Sequence, residues 1–199
     1  MLEDGVASPS VSRFVSATVS ALGADGEAGV ALFRAVQAFA YATDRAHDAS
    51  TLLVERAGSC LAKSELLCGA LREIGLTVDR VRFAYRLPIP PGFDGSLLGE
   101  ALDIHAALRV HHGADSLLLD PTLDPPLARL GFPVANWDGR SSTVLAFEPI
   151  SEIWSEGRDD AAIAEACQRV AAQVRDIGEA FGVYREELNA WLRHARHVP

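Results

Sequence analysis

The sequence predicts an α+β domain: a largely buried helix with a cysteine at its tip packs on an antiparallel sheet, and further helices follow at the C-terminus. Three observations predict it. Apolar residues recur at helical spacing from Cys60 to Gly75, after a Gly58-Ser59 start signal. Residues 78–87 and 101–112 alternate as strands do, and the second run turns at Gly113-Ala114 into three consecutive leucines. From about Asp159 the composition becomes alanine-rich helix.

A chain of 199 residues fits one domain with a sizeable core. Residues 1–157 are read as the α+β domain and residues 158–199 as a helical segment packed on it. With 49% hydrophobic and 23% charged residues, wholesale disorder is excluded. A net charge of -9 argues against nucleic acid or an anionic membrane as partner. The acidic start Met1-Leu2-Glu3-Asp4-Gly5 has no signal-peptide pattern, and no long apolar run follows, so a cytoplasmic location is expected. Three cysteines, an odd number without repeated spacing, give no disulfide framework.

In chain order, residues 1–10 read as a leader and Val11 to Leu22 as a short helix stopped by Gly23. Glu27 to Asp44 reads as a firmer helix, carrying Val30, Phe33, Ala40 and Tyr41. Asp48, Ala49 and Ser50 begin a short helix or turn. Gly58 then breaks the chain, and Ser59 stands where an N-cap side chain accepts a backbone N–H. Cys60 falls in the first turn, with Ser64, Leu67 and Leu71 on its stripe and Glu65, Arg72 and Glu73 opposite. A helix N-terminus favours thiolate over thiol, and the thiolate is the nucleophile.

Val78 to Leu87 places Val81, Phe83 and Tyr85 on one strand face, and the Pro- and Gly-rich stretch 88–95 is a loop. From Ala101 to His112, Asp103, His105, Ala107, Arg109 and His111 share one face, and the apolar residues between them share the other. A two-residue turn with glycine first pairs His112 with Asp115 and Ala107 with Asp120. Asp120 is then the diagonal neighbour of His105, about 7–8 Å away. A three-residue loop would separate them. Beyond the loop through Pro125 and Trp137-Asp138-Gly139, Ser142 to Phe147 reads as another strand. Ile163, Cys167, Val170, Val174 and Ile177 follow at heptad-like spacing, interrupted by Gly178 and Gly182, before a final helix with Leu188, Trp191 and Leu192. These helices pack on the domain or offer a homodimer contact.

Cys60, His105 and Asp120 together give a nucleophile, a base and a carboxylate that orients it. Acyl transfer needs those roles, because an imidazole must take the thiol proton and return it to the leaving group. The contexts Gly58-Ser59-Cys60 with Lys63, Leu66-Leu67 and Ala70 to Leu76, then His105-Ala106, then Leu119-Asp120-Pro121-Thr122, resemble the transglutaminase-like superfamily of papain-type cysteine enzymes. Gly131-Phe132-Pro133-Val134 and Trp137-Asp138-Gly139 resemble a small bacterial branch of undefined reaction. The likeness covers residues 48–148. It implies a papain/transglutaminase-like core, with Cys60 as nucleophile, His105 as general base and acid, and Asp120 as orienter. The sequence departs from the pattern at Ser59, where Asp is frequent, and at Ala107, where Trp is frequent. It also lacks a Trp before the Asp motif, and Val54 replaces the papain-like Gln of the oxyanion hole.

For that hole the backbone N–H of Cys60 is one donor, and Gln37 or Tyr41 on the preceding helix is a second. Tyr85 and Trp137 are candidates to line a substrate pocket. Cys68 and Cys167 read as core packing. His105 and His111 lie too far apart along one strand to share an ion, and no metal motif occurs, so neither metal nor cofactor is expected. The expected partner is a peptide, protein or small amide substrate, with hydrolysis and transfer both open. Two other functions compete: a catalytically idle fold that binds peptide or protein, and an arylamine acetyltransferase-like enzyme, for which no acyl-CoA site is visible.

Overall fold

Two helices open the described chain, in a computed structural model that covers residues 10–22, 27–113 and 115–196. Residues 1–9, most of the expected leader, and the stop at Gly23 lie outside the described residues. In α1 (Val11–Ser20) the Ser10 hydroxyl accepts the Arg13 N–H at 3.3 Å. The second helix, α2 (Ala28–Gln37), ends well before Asp44, and the chain re-enters as strand β1 (Ala40–Ala46). The alanines of this stretch suit a helix, but the backbones of Tyr41 and Thr43 are held by side chains of Asp124, Asn189, Arg185 and Arg196. Tertiary bonds override local propensity here.

Helix α3 (Ala49–Glu55) starts on Asp48, whose carboxylate accepts the Thr51 N–H at 2.9 Å. Arg56 ends it at φ 59, with its guanidinium 4.2 Å over the Phe39 ring. Strand β2 (Ala57–Gly58) then runs parallel to β1. A Cβ at Gly58 would lie 2.8 Å from the Ala46 carbonyl oxygen and 3.0 Å from Leu52 Cδ1. Gly58→Ala will therefore cost about 1–3 kcal/mol. A drop in Tm, measured by thermal denaturation, checks this.

Helix α4 (Cys60–Glu73) is buried along most of its length, with Glu65, Arg72 and Glu73 outward as the pattern requires. Strands β3 (Thr77–Arg86), β4 (Leu102–His112), β5 (Asp115–Leu119) and β6 (Trp154–Ser155) form an antiparallel sheet in the order β5-β4-β3-β6. Strands β4 and β5 pair from His112↔Asp115 to Leu108↔Leu119, the register the two-residue turn predicts. Gly113 supplies the positive φ of 63° that such a turn requires.

Ser142 to Phe147 is not a strand. It runs beside β5, but side chains replace part of the ladder: Ser142 Oγ accepts the Leu118 N–H at 3.0 Å, and Asp120 takes the Ala146 N–H at 2.7 Å. The chain ends in α5 (Asp160–Ile177) and α6 (Glu179–His194), parted at Gly178 alone. Gly182 stays inside α6, and Cys167 is exposed rather than in the core.

Two apolar clusters result. One joins α2, α3 and α4 to Val78, Leu108, Val110 and Leu119. The other joins Val81, Phe83, Tyr85 and Ala107 to Leu123, Leu127 and the α6 residues Tyr184, Leu188 and Leu192. The sheet face that carries His105 is thus covered near that residue. Among the described residues no helix is long and apolar enough to cross a membrane.

Candidate active site

Cys60 is the first residue of α4, and Ser59 before it does not cap the helix. Its hydroxyl donates to the Ala46 carbonyl at 3.2 Å and lies 3.2 Å from His47 Nδ1, so it serves the β1 loop instead of the first helical turn. Cys60 is nearly buried, with 9% of its surface exposed, and opens on a cavity of about 320 Å³.

His105 stands on β4 opposite Phe83 and is fully buried. Its ring is enclosed by Phe83 at 5.0 Å, Phe147 at 5.1 Å and Tyr85 at 5.7 Å between centroids. Nε2 lies 2.8 Å from Asp120 Oδ2. Nδ1, the other ring nitrogen, is buried and has no hydrogen bond of good geometry among the described residues. The Cys60 thiol is close enough to act on the ring. Burial pushes the imidazole towards its neutral form, but Asp120 and then Cys60 outweigh it and raise the pKa to about 10.

Asp120 sits one residue beyond β5 rather than within a strand. Burial raises its pKa, and the opposing pull of His105, with hydrogen bonds from Thr122 and Ala146, lowers it overall. Thr122 N–H donates to Oδ1 at 3.0 Å, and Thr143 Oγ1 accepts the Asp120 N–H at 3.0 Å. The orientation of the carboxylate is therefore fixed from three sides.

The other sequence candidates divide. Tyr85 lines the cavity, as does Tyr41, which belongs to β1 and not to a helix. Burial lifts the pKa of both phenols well above the ordinary value, so both remain protonated donors at neutral pH. Gln37 is committed elsewhere: its Nε2 donates to the Ala135 carbonyl at 2.6 Å. Trp137 packs on Phe33, 5.9 Å between centroids, and neither it nor Gln37 lines the cavity beside Cys60. Gln37 is the last residue of α2, and the indole of Trp137 belongs to the apolar cluster built on α2, α3 and α4.

Comparison with known proteins adds little. No family model and no curated protein matches the chain. It is similar to a solved structure from Cytophaga hutchinsonii named a "Putative Cysteine Protease", at 14% identity and a TM-score of 0.42. The match covers 74% of this chain, which spans about half, 49%, of that one.

Two residues that brace the site were given no role in the sequence reading. Lys63, fully buried one turn along α4 from Cys60, donates to three carbonyls: Gln37 at 3.0 Å, Phe39 at 2.8 Å and Thr122 at 2.6 Å. It ties the α2–β1 turn and the Asp120 loop to α4. A lysine among Ala62, Ser64, Leu66 and Leu67 was the available clue. Arg196 clasps Asp124 with Nε at 2.8 Å and Nη2 at 2.7 Å, a pairing that sequence separation hides. Among the described residues no cluster suits a metal ion.

Proposed function

We propose that the chain is a thiol enzyme of acyl transfer or amide hydrolysis, working through a thioester on Cys60. The observation that carries this is the fully buried His105–Asp120 pair at 2.8 Å, whose ring proton is held up by both Asp120 and the Cys60 thiol. The thiolate attacks the acyl carbon, the bond to the leaving amine breaks, and His105 gives that amine its proton. Water or a second amine then loses a proton to His105 and attacks the thioester, freeing Cys60. Asp120 holds the imidazole in place throughout. Backbone N–H groups in the first turn of α4 and the Tyr41 hydroxyl are the donors available to the oxyanion.

The test is the pH dependence of alkylation at each cysteine, read by peptide mass mapping. Cys60 will be alkylated faster than either other cysteine, and His105→Ala will slow it by roughly 10²-fold or more. Buried Cys68, whose pKa burial raises, and exposed Cys167 are internal controls. If Cys60 reacts no faster than Cys167, or is indifferent to His105→Ala, the enzyme reading fails. The complete burial of His105 favours a second reading, a catalytically idle fold that binds peptide or protein at the same cavity.

A further inference from the structure

Besides α4, the cavity beside Cys60 has walls from five elements. Tyr41 and Thr43 come from β1, Tyr85 from β3, Asp103 and Ile104 from β4, Val170 and Val174 from α5, and Phe181, Tyr184, Arg185 and Leu188 from α6. Its lining is mostly apolar, and 320 Å³ is room for roughly ten water-sized groups. That is the scale of one amino-acid residue with a small leaving group, at the lower end of ligand pockets.

An extended polypeptide could bind beside Cys60 by pairing with the free edge of β1, since β2 occupies the other edge. That edge is already bonded. Tyr41 N–H donates to Asp124 Oδ1 at 2.7 Å, and Arg196 Nη2 donates to the Tyr41 carbonyl at 2.8 Å. Thr43 N–H donates to Asn189 Oδ1 at 2.9 Å, and Arg185 Nη2 donates to the Thr43 carbonyl at 2.7 Å. Asp124 and side chains of α6 and its end thus take the place of a partner strand. The helix is not loosely laid on: Tyr184, Leu188, Leu192 and Ala195 are buried beneath it, and Tyr184 donates to the Pro88 carbonyl at 3.1 Å.

One charged group on the wall is left short of donors. Asp103 Oδ1 accepts the Ile104 N–H at 2.7 Å, but Oδ2 has only the Tyr85 hydroxyl at 3.5 Å. Arg185 Nη2 donates to the Thr43 carbonyl, and its charge, with that of His105, offsets the burial of Asp103 only in part. Burial raises the Asp103 pKa, so a cation placed beside it would be welcomed.

We propose that this cavity takes a small acyl donor of the aminoacyl class, an amide or ester with one apolar side chain and a free ammonium group bound by Asp103, and that α6 excludes extended polypeptide. The inference rests on the thioester reading for its chemistry, but not for its binding. The apolar side chain lies against Val170, Val174, Phe181 and Leu188, and the acyl carbon meets Cys60.

The experiment uses the full-length Cys60→Ala variant, in which no thioester forms, with L-phenylalaninamide and N-acetyl-L-phenylalaninamide as probes in thermal-shift and calorimetric titrations. The free amine will bind roughly tenfold or more tighter than its acetylated counterpart, and Asp103→Asn in the same background will bring the two to equal affinity. Wild-type protein will leave labelled casein uncut. Equal affinities before Asp103 is changed, binding of neither amide, or digestion of casein overturns the proposal. The alkylation series separates the two ideas. Should Cys60 prove activated while the amides fail, the substrate class falls and the thiol reading stands. Should the amides bind as expected to a protein whose Cys60 is unactivated, the cavity stands as an amine-binding site and the enzyme reading falls.

Discussion

Replacing Asp120 with alanine will cost on the order of 3–5 kcal/mol of stability and will strip Cys60 of its fast alkylation. The carboxylate accepts from His105, from Thr122 N–H and from Ala146 N–H, all in a site closed to water. Alanine leaves each of these donors without a partner, and a buried imidazolium without its counter-charge. Asp120→Asn keeps one acceptor oxygen and will lose less. The pH profile of the Asp120→Ala deficit carries a signature of the pair. His105, raised to about 10, stabilises the fold fully below its ordinary value near 6.5 and loses that contribution as pH rises through 10. Asp120, lowered from its ordinary value of 3.8, contributes above that value and loses its contribution as pH falls through the lowered one. The gap between wild type and Asp120→Ala, measured by urea denaturation, will therefore be widest between about pH 4 and pH 6.5.

Lys63→Met will be comparably damaging, on the order of 3–5 kcal/mol, although it keeps the length of the side chain and touches no reacting atom. Three buried carbonyls lose their donor at once, and the positive charge that faces Asp120 and Asp124 disappears. Burial draws the ammonium down to about 7, against the pull of Asp124 and Asp120. Between that value and the ordinary 10.5 the unfolded chain binds more protons than the folded one, so this group adds stability as pH rises. His105 does the opposite over the range up to 10. Denaturation curves of Lys63→Met will accordingly fall more steeply than wild type from pH 7 to pH 10. A wild-type-like slope would show that burial does not lower the proton affinity of Lys63 and that the ammonium stays charged in the fold.

Helix α4, the β3–β4–β5 meander and its register were legible in the sequence because each rests on local information. Gly58-Ser59 breaks the chain, the apolar period of 60–75 is helical, and Gly113 sets the turn whose parity brings Asp120 to His105. The alternation of 101–112 located His105 but not its surroundings. Which side of a strand faces solvent depends on what later packs there, and here Phe147 and α6 close over it.

What the sequence by itself determined is the set of groups that meet through neighbouring strands and a helix start: Cys60, His105, Asp120 and Tyr85. Only the tertiary structure decided the rest. It made a strand of Ala40–Ala46, turned Ser142–Phe147 into an irregular run that serves Asp120, and sent Gln37 and Trp137 into other contacts. It also set α6 along the edge of β1, where Arg185, Asn189 and Arg196 bond residues 142 to 155 positions earlier in the chain. For the strand contacts the physical reason is shared. Backbone groups of an exposed strand edge accept any donor of suitable geometry, and no local pattern records which distant side chain will supply it.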